Sequence, residues 1–148
     1  MSSSRHKARQ CAVQALYQWQ LTGQDVADID RQFIEEHDMK GVKVDYFQEL
    51  LHQVLLHLHE LDDHMAPLLD RPVQEVDPVE RAILRLGIYE LKFRLDVPYR
   101  VVINEGVELA KTFGAEHGHK YVNSILDGVA RQVRTAEIEA AKQSKNAK

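Results

Sequence analysis

Eight histidines in a chain of 148 residues invite a metal site. Glu49 and His52 form an E-x-x-H pair on one helical face, the spacing that carboxylate-bridged dinuclear bundles use. Such a centre needs a second pair of the same kind and two further inward glutamates. His57 with Glu60, or Glu60 with His64, would grip one side of an ion without closing a site. His117 and His119, two positions apart, diverge on a helix. Solvated histidines on a polar helix face account for His52 and His59. The expectation is no metal and no cofactor. Cys11, the one cysteine, sits on an apolar stripe and reads as a buried core thiol rather than an activated nucleophile. There is no G-x-S-x-G, no P-loop and no G-x-G-x-x-G. Carboxylates are plentiful between 25 and 80, but without a hydrophobic pocket to raise the pKa of one of them. The chain is not expected to be an enzyme.

Residue types suited to recognition are better placed. Arg5, His6, Lys7 and Arg9 run from a serine stretch into a helix. Positive charge at a helix N-terminus opposes the macrodipole by a few tenths of a kcal/mol to about 1 kcal/mol, a mismatch that a polyanion would relieve. Between Lys111 and Tyr121, the bases Lys111 and Lys120 and the histidines His117 and His119 alternate with the rings of Phe113 and Tyr121 at a helix–turn–helix junction. Aromatic faces stack unpaired bases for roughly 1–3 kcal/mol each, while nearby cations hold the phosphates. Arg85 could extend that surface. Phe113 could equally be a core residue at its helix end. A third group lies off the main apolar stripes: Tyr17 and Leu21 on the first helix, Glu80 and Leu84 on successive turns of a central one. An aromatic, two aliphatics and a carboxylate suit docking of a partner protein, and would equally serve packing between two subdomains.

Charge distribution supports a polyanion. The net charge is −4, but residues 1–24 carry three bases and no acid, residues 25–80 fifteen acids against four bases, and residues 81–148 twelve bases against eight acids. Two basic ends therefore flank an acidic middle, which the average conceals. At this length roughly 70% of the unfolded surface can be buried, so a single core suffices without metal or disulfide. One thiol suits a reducing cytosol. No apolar run approaches the roughly 18 residues of a membrane span, and no secretion signal is present, so a cytoplasmic protein is expected.

Helices must position these groups. Ala8, Cys11, Ala12, Ala15, Leu16 and Trp19 repeat at i, i+3, i+4, with Ser2 to Ser4 as possible caps and Gly23 as a stop. A second helix opens at Asp25 and ends before Gly41. A third runs from Asp45 through Phe47, Leu50, Leu51, Val54, Leu58 and Leu61, followed by a short connector between Pro67 and Pro72. Asp77-Pro78-Val79-Glu80 is a strong helix start, with Asp77 as cap and Glu80 closing a capping box. The helix that follows is apolar around most of its circumference and should be central. Val102, Gly106, Leu109 and Phe113 mark a fifth helix, and Val122, Ile125, Leu126, Val129 and Val133 a sixth. The predicted fold is all-α: two packed three-helix bundles, residues 1–73 with the basic arm and 74–134, joined by a short connecting helix, with a flexible or frayed tail over 135–148.

The segments Arg9-Gln-Cys-Ala-Val-Gln-Ala-Leu-Tyr-Gln-Trp19, Glu80-Arg-Ala-Ile-Leu-Arg-Leu-Gly-Ile-Tyr-Glu-Leu91, Val97-Pro-Tyr-Arg-Val-Val-Ile-Asn-Glu105, Glu108-Leu-Ala-Lys-Thr-Phe-Gly114 and Lys120-Tyr-Val-Asn-Ser-Ile-Leu-Asp127 resemble the NusB family of transcription antitermination factors, in family order and spacing over about residues 5–134. The resemblance implies a bacterial, cytoplasmic, non-enzymatic all-α protein. It would bind the single-stranded boxA element of ribosomal RNA leaders together with NusE, a small-subunit ribosomal protein, and join other Nus factors and RNA polymerase to suppress termination. Carried over by position, the RNA surface falls on Arg5, His6, Lys7, Arg9, Arg85, Phe113, His117, Lys120 and Tyr121, and the NusE surface on Tyr17, Leu21, Glu80 and Leu84. His6 stands where the family often has arginine, and His117 where an acid is common. NusB-like bundles also occur in ribosomal RNA cytosine methyltransferases, but those need a Rossmann-like domain with a Gly-rich cofactor loop and a catalytic cysteine, for which 148 residues leave no room.

Overall fold

The computed structural model describes residues 3–146, and Ser2, considered above as a cap, lies outside them. Eight α-helices follow in order: α1 (Ser3–Thr22), α2 (Val26–Glu36), α3 (Val44–Leu56), α4 (Leu58–Met65), α5 (Pro78–Phe93), α6 (Tyr99–Phe113), α7 (Gly118–Val133) and α8 (Thr135–Asn146). Short 3-10 turns at Ala66–Leu68 and Val73–Glu75 bridge α4 to α5. No strand occurs among the described residues, so the fold is all-α.

Two boundaries follow from chemistry visible in the sequence. Asp25 accepts from the Ala27 amide at 2.8 Å and starts α2. Asp77 accepts from the amides of Val79 and Glu80 at 2.9 and 3.2 Å, with Pro78 at the first helical position. The expected capping box does not close, however. The Glu80 carboxylate lies instead against the first residue of α7, where a Cβ on Gly118 would come within 2.6 Å of its Oε2. The expected long third helix is two helices, because the chain changes direction at His57 while its amide still bonds back to the Gln53 carbonyl at 3.0 Å.

α5 is the axis of the core: every residue from Ala82 to Leu91 is buried. It packs against α1, α3 and α4 on one side and α6 and α7 on the other. The apolar faces of all seven helices from α1 to α7 enter one continuous cluster. Leu126 of α7 fills a notch left by two missing side chains. A Cβ on Gly87 of α5 would lie 2.8 Å from its Cδ2, and one on Gly106 of α6 would lie 2.6 Å from its Cδ1.

Among the described residues four buried side chains are charged, and each is satisfied. Arg9 pairs with Glu90 and Glu105. Arg85 donates to both carboxylate oxygens of Asp62 at 2.9 and 2.8 Å and to Gln20 Oε1 at 2.9 Å. Arg134 caps the end of α5, donating to the carbonyls of Leu91 (2.7 Å), Glu90 (3.1 Å) and Arg94 (3.0 Å). The Leu91 carbonyl is one that a helix C-terminus leaves unpaired, while those of Glu90 and Arg94 also accept from the amides of Arg94 and Val97 at 3.0 Å each. Arg134 also donates to Glu137 at 2.6 Å, and Glu137 in turn accepts from the Tyr99 amide at the start of α6, at 3.0 Å. Thr135–Asn146, expected as a flexible or frayed tail, forms the helix α8, whose first turn these contacts join to α6 and α7, with Ile138 packed on the core.

Candidate nucleic-acid interface

α1 and α6 both pack on α5, and side chains along the two helices meet in the same chain order. Near the start of α1, His6 Nδ1 lies 3.1 Å from Glu105 Oε1 of α6, and Arg9 Nη1 donates to that same oxygen at 2.8 Å. Eight residues further along α6, Phe113 lines a groove of about 460 Å³ with Val13, Tyr17 and Leu21 of α1, and with Phe33 and Val79. Eight residues of helix rise about 12 Å. The partner of the basic arm and the ring of Phe113 are therefore carried by one helix, and Phe113 itself belongs to the second cluster.

The arm's four expected contacts differ in availability. Lys7 is exposed, its ammonium beside the turn at Gly41. His6 is half-buried against Glu105. Arg5 is half-buried, with its guanidinium carbon 5.0 Å from the centre of the Tyr46 ring and Nη1 3.9 Å from Asp96. Arg9 corrects the expectation: its side chain is 2% exposed, too deep to meet a phosphate. Nε and Nη2 donate to Glu90 at 3.1 and 2.9 Å, and Glu90 also accepts from the Tyr46 hydroxyl. Burial opposes the charge on Arg9, but the carboxylate of Glu90 outweighs it and holds the guanidinium above its ordinary range. Burial, and then Glu90, push the Tyr46 phenol upward as well. Arg9 therefore roots the arm in the core.

The second cluster turns around the α6–α7 junction. Phe113, the last residue of α6, is half-buried. His117 adopts a left-handed backbone (φ 73°) as it enters α7, and its side chain is 71% exposed, 3.7 Å from Glu116. Lys120 is exposed. Tyr121 is half-buried, donates its hydroxyl to Asp70 Oδ1 at 3.2 Å and carries the Arg71 guanidinium 5.6 Å from its ring centre. The hydrogen bond from Arg71 holds the Asp70 carboxyl below its ordinary range, while burial, then Asp70, raise the Tyr121 phenol. Arg71 and Asp70 were not anticipated from sequence, since both sit in the loop between the 3-10 turns. Arg85, by contrast, is buried on Asp62 and Gln20 and is no part of this surface.

The expected partner-protein face is continuous with the rings. Tyr17 and Leu21 are 37% and 57% exposed and share the groove with Phe113. Glu80 is half-buried, its carboxyl raised by burial and by Asp77, against the opposing pull of Arg71. Leu84 is a second correction: it is fully buried and offers nothing to a partner, because its side of α5 faces the core. Among the described residues, no three His, Cys, Asp or Glu side chains gather as a metal ion would require.

Comparison with known proteins gives one consistent family. The NusB family model matches residues 6–131. The transcription antitermination protein NusB of Nitrosococcus oceani is 59% identical over 138 residues, covering 93% of each chain. That of Shewanella amazonensis is 59% identical over 125 residues, 84% of this chain and 93% of that protein. Among solved structures, T. maritima NusB superposes with a TM-score of 0.80 at 28% identity, covering 94% of this chain and 99% of that one. A crystal structure of antitermination factors NusB and NusE in complex with dsRNA matches with a TM-score of 0.77 at 30% identity, covering 89% and 99%.

Proposed function

The chain belongs to the NusB family, and on that premise we propose that it is a transcription antitermination factor that binds single-stranded boxA RNA of ribosomal RNA leaders together with NusE. The observation that carries the reading is that α6 holds the root of the basic arm through Glu105 and, eight residues further on, carries the ring of Phe113. Half-buried rings flanked by cations are suited to unpaired bases: the ring face is available for stacking while the polar neighbours hold the backbone. In an A-form duplex the bases are already stacked on one another, so such rings would have little to take up. On this reading Lys7 and Lys120 neutralise phosphates, Arg5 and His6 exchange their carboxylate partners for the strand, and Phe113 and Tyr121 stack bases. Arg9 positions the arm.

NusE would dock on Tyr17, Leu21 and Glu80. Because that groove shares Phe113 with the RNA face, both partners would grip one strand, and each would raise the other's apparent affinity. The same reading assigns no catalytic step, places the protein in the bacterial cytoplasm, and brings it to RNA polymerase in company with other Nus factors. Among the described residues no helix is long and apolar enough to cross a membrane.

The test is RNA binding with and without NusE, comparing a single-stranded boxA oligonucleotide, a scrambled strand and the boxA duplex. The boxA single strand should bind tightest, and NusE should tighten it further. Affinity should fall with salt, with a log–log slope that drops by about 0.7 for each of Lys7 and Lys120 changed to glutamine. Equal binding of boxA and scrambled strands would sink the boxA assignment, and a salt-insensitive affinity would sink the role of the arm.

A further inference from the structure

α8, the start of α6 and the end of α7 enclose a second cationic cleft, and the part of its lining that α8 supplies, Ile138 to Lys145, lies beyond the residues the family model matches. Its volume is about 200 Å³, and its charged lining is Arg100, Arg131, Lys142 and Lys145 against the single acid Asp127. That acid already accepts from Arg131 Nε at 2.8 Å. Arg131 is matched by Asp127 and Lys142 lies 3.9 Å from Glu139, so the four bases still outnumber the nearby acids two to one and concentrate positive potential in a chain of net charge −4. The cleft also has flat and apolar surface. Tyr99 is half-buried with the Arg100 guanidinium 5.7 Å from its ring centre, and Ile138 and Ala141 line the wall.

The cleft is anchored, because Glu137 joins α8 to Arg134 and to the first amide of α6. A ring paired with an arginine and bordered by lysines is the equipment of a single-strand track; an acidic protein surface would use the charges but leave the ring idle. Tyr99 stands six residues before Glu105 on α6, about 9 Å of helix rise from the root of the basic arm.

We propose that this cleft is a second RNA-binding site, taking the sugar–phosphate backbone and one base of the unpaired stretch that flanks the segment held at the α1–α6 face. It rests on the RNA-binding reading above. A strand reaching both sites is held by two linked contacts, so length outside boxA adds affinity without adding sequence preference.

The experiment measures binding of the full chain to a boxA strand of about 12 nucleotides and to the same strand lengthened by about ten uridines at its 5′ or its 3′ end. The parent protein should bind one lengthened strand about tenfold more tightly than the short one. The triple change Arg100→Gln, Lys142→Gln and Lys145→Gln should abolish that gain and flatten its salt dependence, leaving affinity for the short strand unaltered. The pair Lys142→Arg and Lys145→Arg should keep the gain, with circular dichroism confirming unchanged helicity in both variants. The proposal is overturned if lengthening adds nothing, or if the triple variant matches the parent on every strand. A triple variant that binds all RNAs as the parent does but loses NusE would overturn it in favour of a protein-binding cleft. Where the short strand binds with boxA preference and the triple change has no effect, the second site falls and the proposed function stands. A parent that binds neither short nor lengthened RNA removes both.

Discussion

The Arg9 guanidinium and the Glu90 carboxylate meet in the interior, 81 positions apart in sequence, their side chains 2% and 1% exposed. A buried pair of this kind adds little over an apolar pair of the same volume, but removing one partner strands the other's charge in the core.

Arg9→Ala should therefore destabilise the protein by about 3–5 kcal/mol in urea unfolding. Lys7→Ala, two residues earlier and exposed, should change stability by no more than about 0.5 kcal/mol while weakening RNA binding. Equal effects of the two changes on stability would show that Arg9 does not root the arm.

At Asp96, the hydrogen bond from Arg94 is the leading influence; burial opposes it, and the charges of Arg94 and Arg5 add to it, so that the carboxyl is held below its ordinary value of 3.8. A depressed folded-state pKa contributes stability in full above the unfolded value and loses it as pH falls through the folded value. Asp96→Asn should thus melt below the parent by a constant margin from pH 7 to about 5, and the margin should close as pH falls below the ordinary aspartate value. A margin that widened in acid would contradict the assignment.

Two leucines separate surface from core. Leu21→Asp, on the open groove, should leave the melting temperature nearly unchanged and impair NusE binding. Leu84→Ala should cost about 2–5 kcal/mol of stability, with any loss of NusE binding following from unfolding alone. Both are read by thermal melts alongside NusE titrations.

Much of this arrangement is written in local sequence. Asp25 and Asp77 announce their helices because a cap needs only two or three neighbouring residues. Arg9 carried a signal that periodicity could have exposed: it lies in register with Ala12, Val13 and Leu16, a charge on a buried stripe, and Glu90 is a lone acid in the apolar run of α5. That the two meet is a long-range fact with no local trace. The break at His57 has no glycine or proline to mark it, so the apolar repeat ran through it. Leu84 and Arg85 lie on a helix apolar all round, where spacing along the chain does not say which side faces water. The tail has helix-forming Ala, Glu and Lys, but its anchorage depends on Arg134 and Tyr99, which only the fold brings to Glu137.

The notch in which Leu126 sits between Gly87 and Gly106 has a consequence for reach. One branched side chain keyed into gaps on two neighbouring rods forbids them to slip by a turn, since any other register would set a methyl where bare backbone is required. α5, α6 and α7 thus behave as a fixed gauge, and the interval from Glu105 to Tyr121 is set before any strand arrives. On the proposed RNA-binding reading, a strand would have to match that interval by its own flexibility, and selection would act on nucleotide count as well as on nucleotide identity.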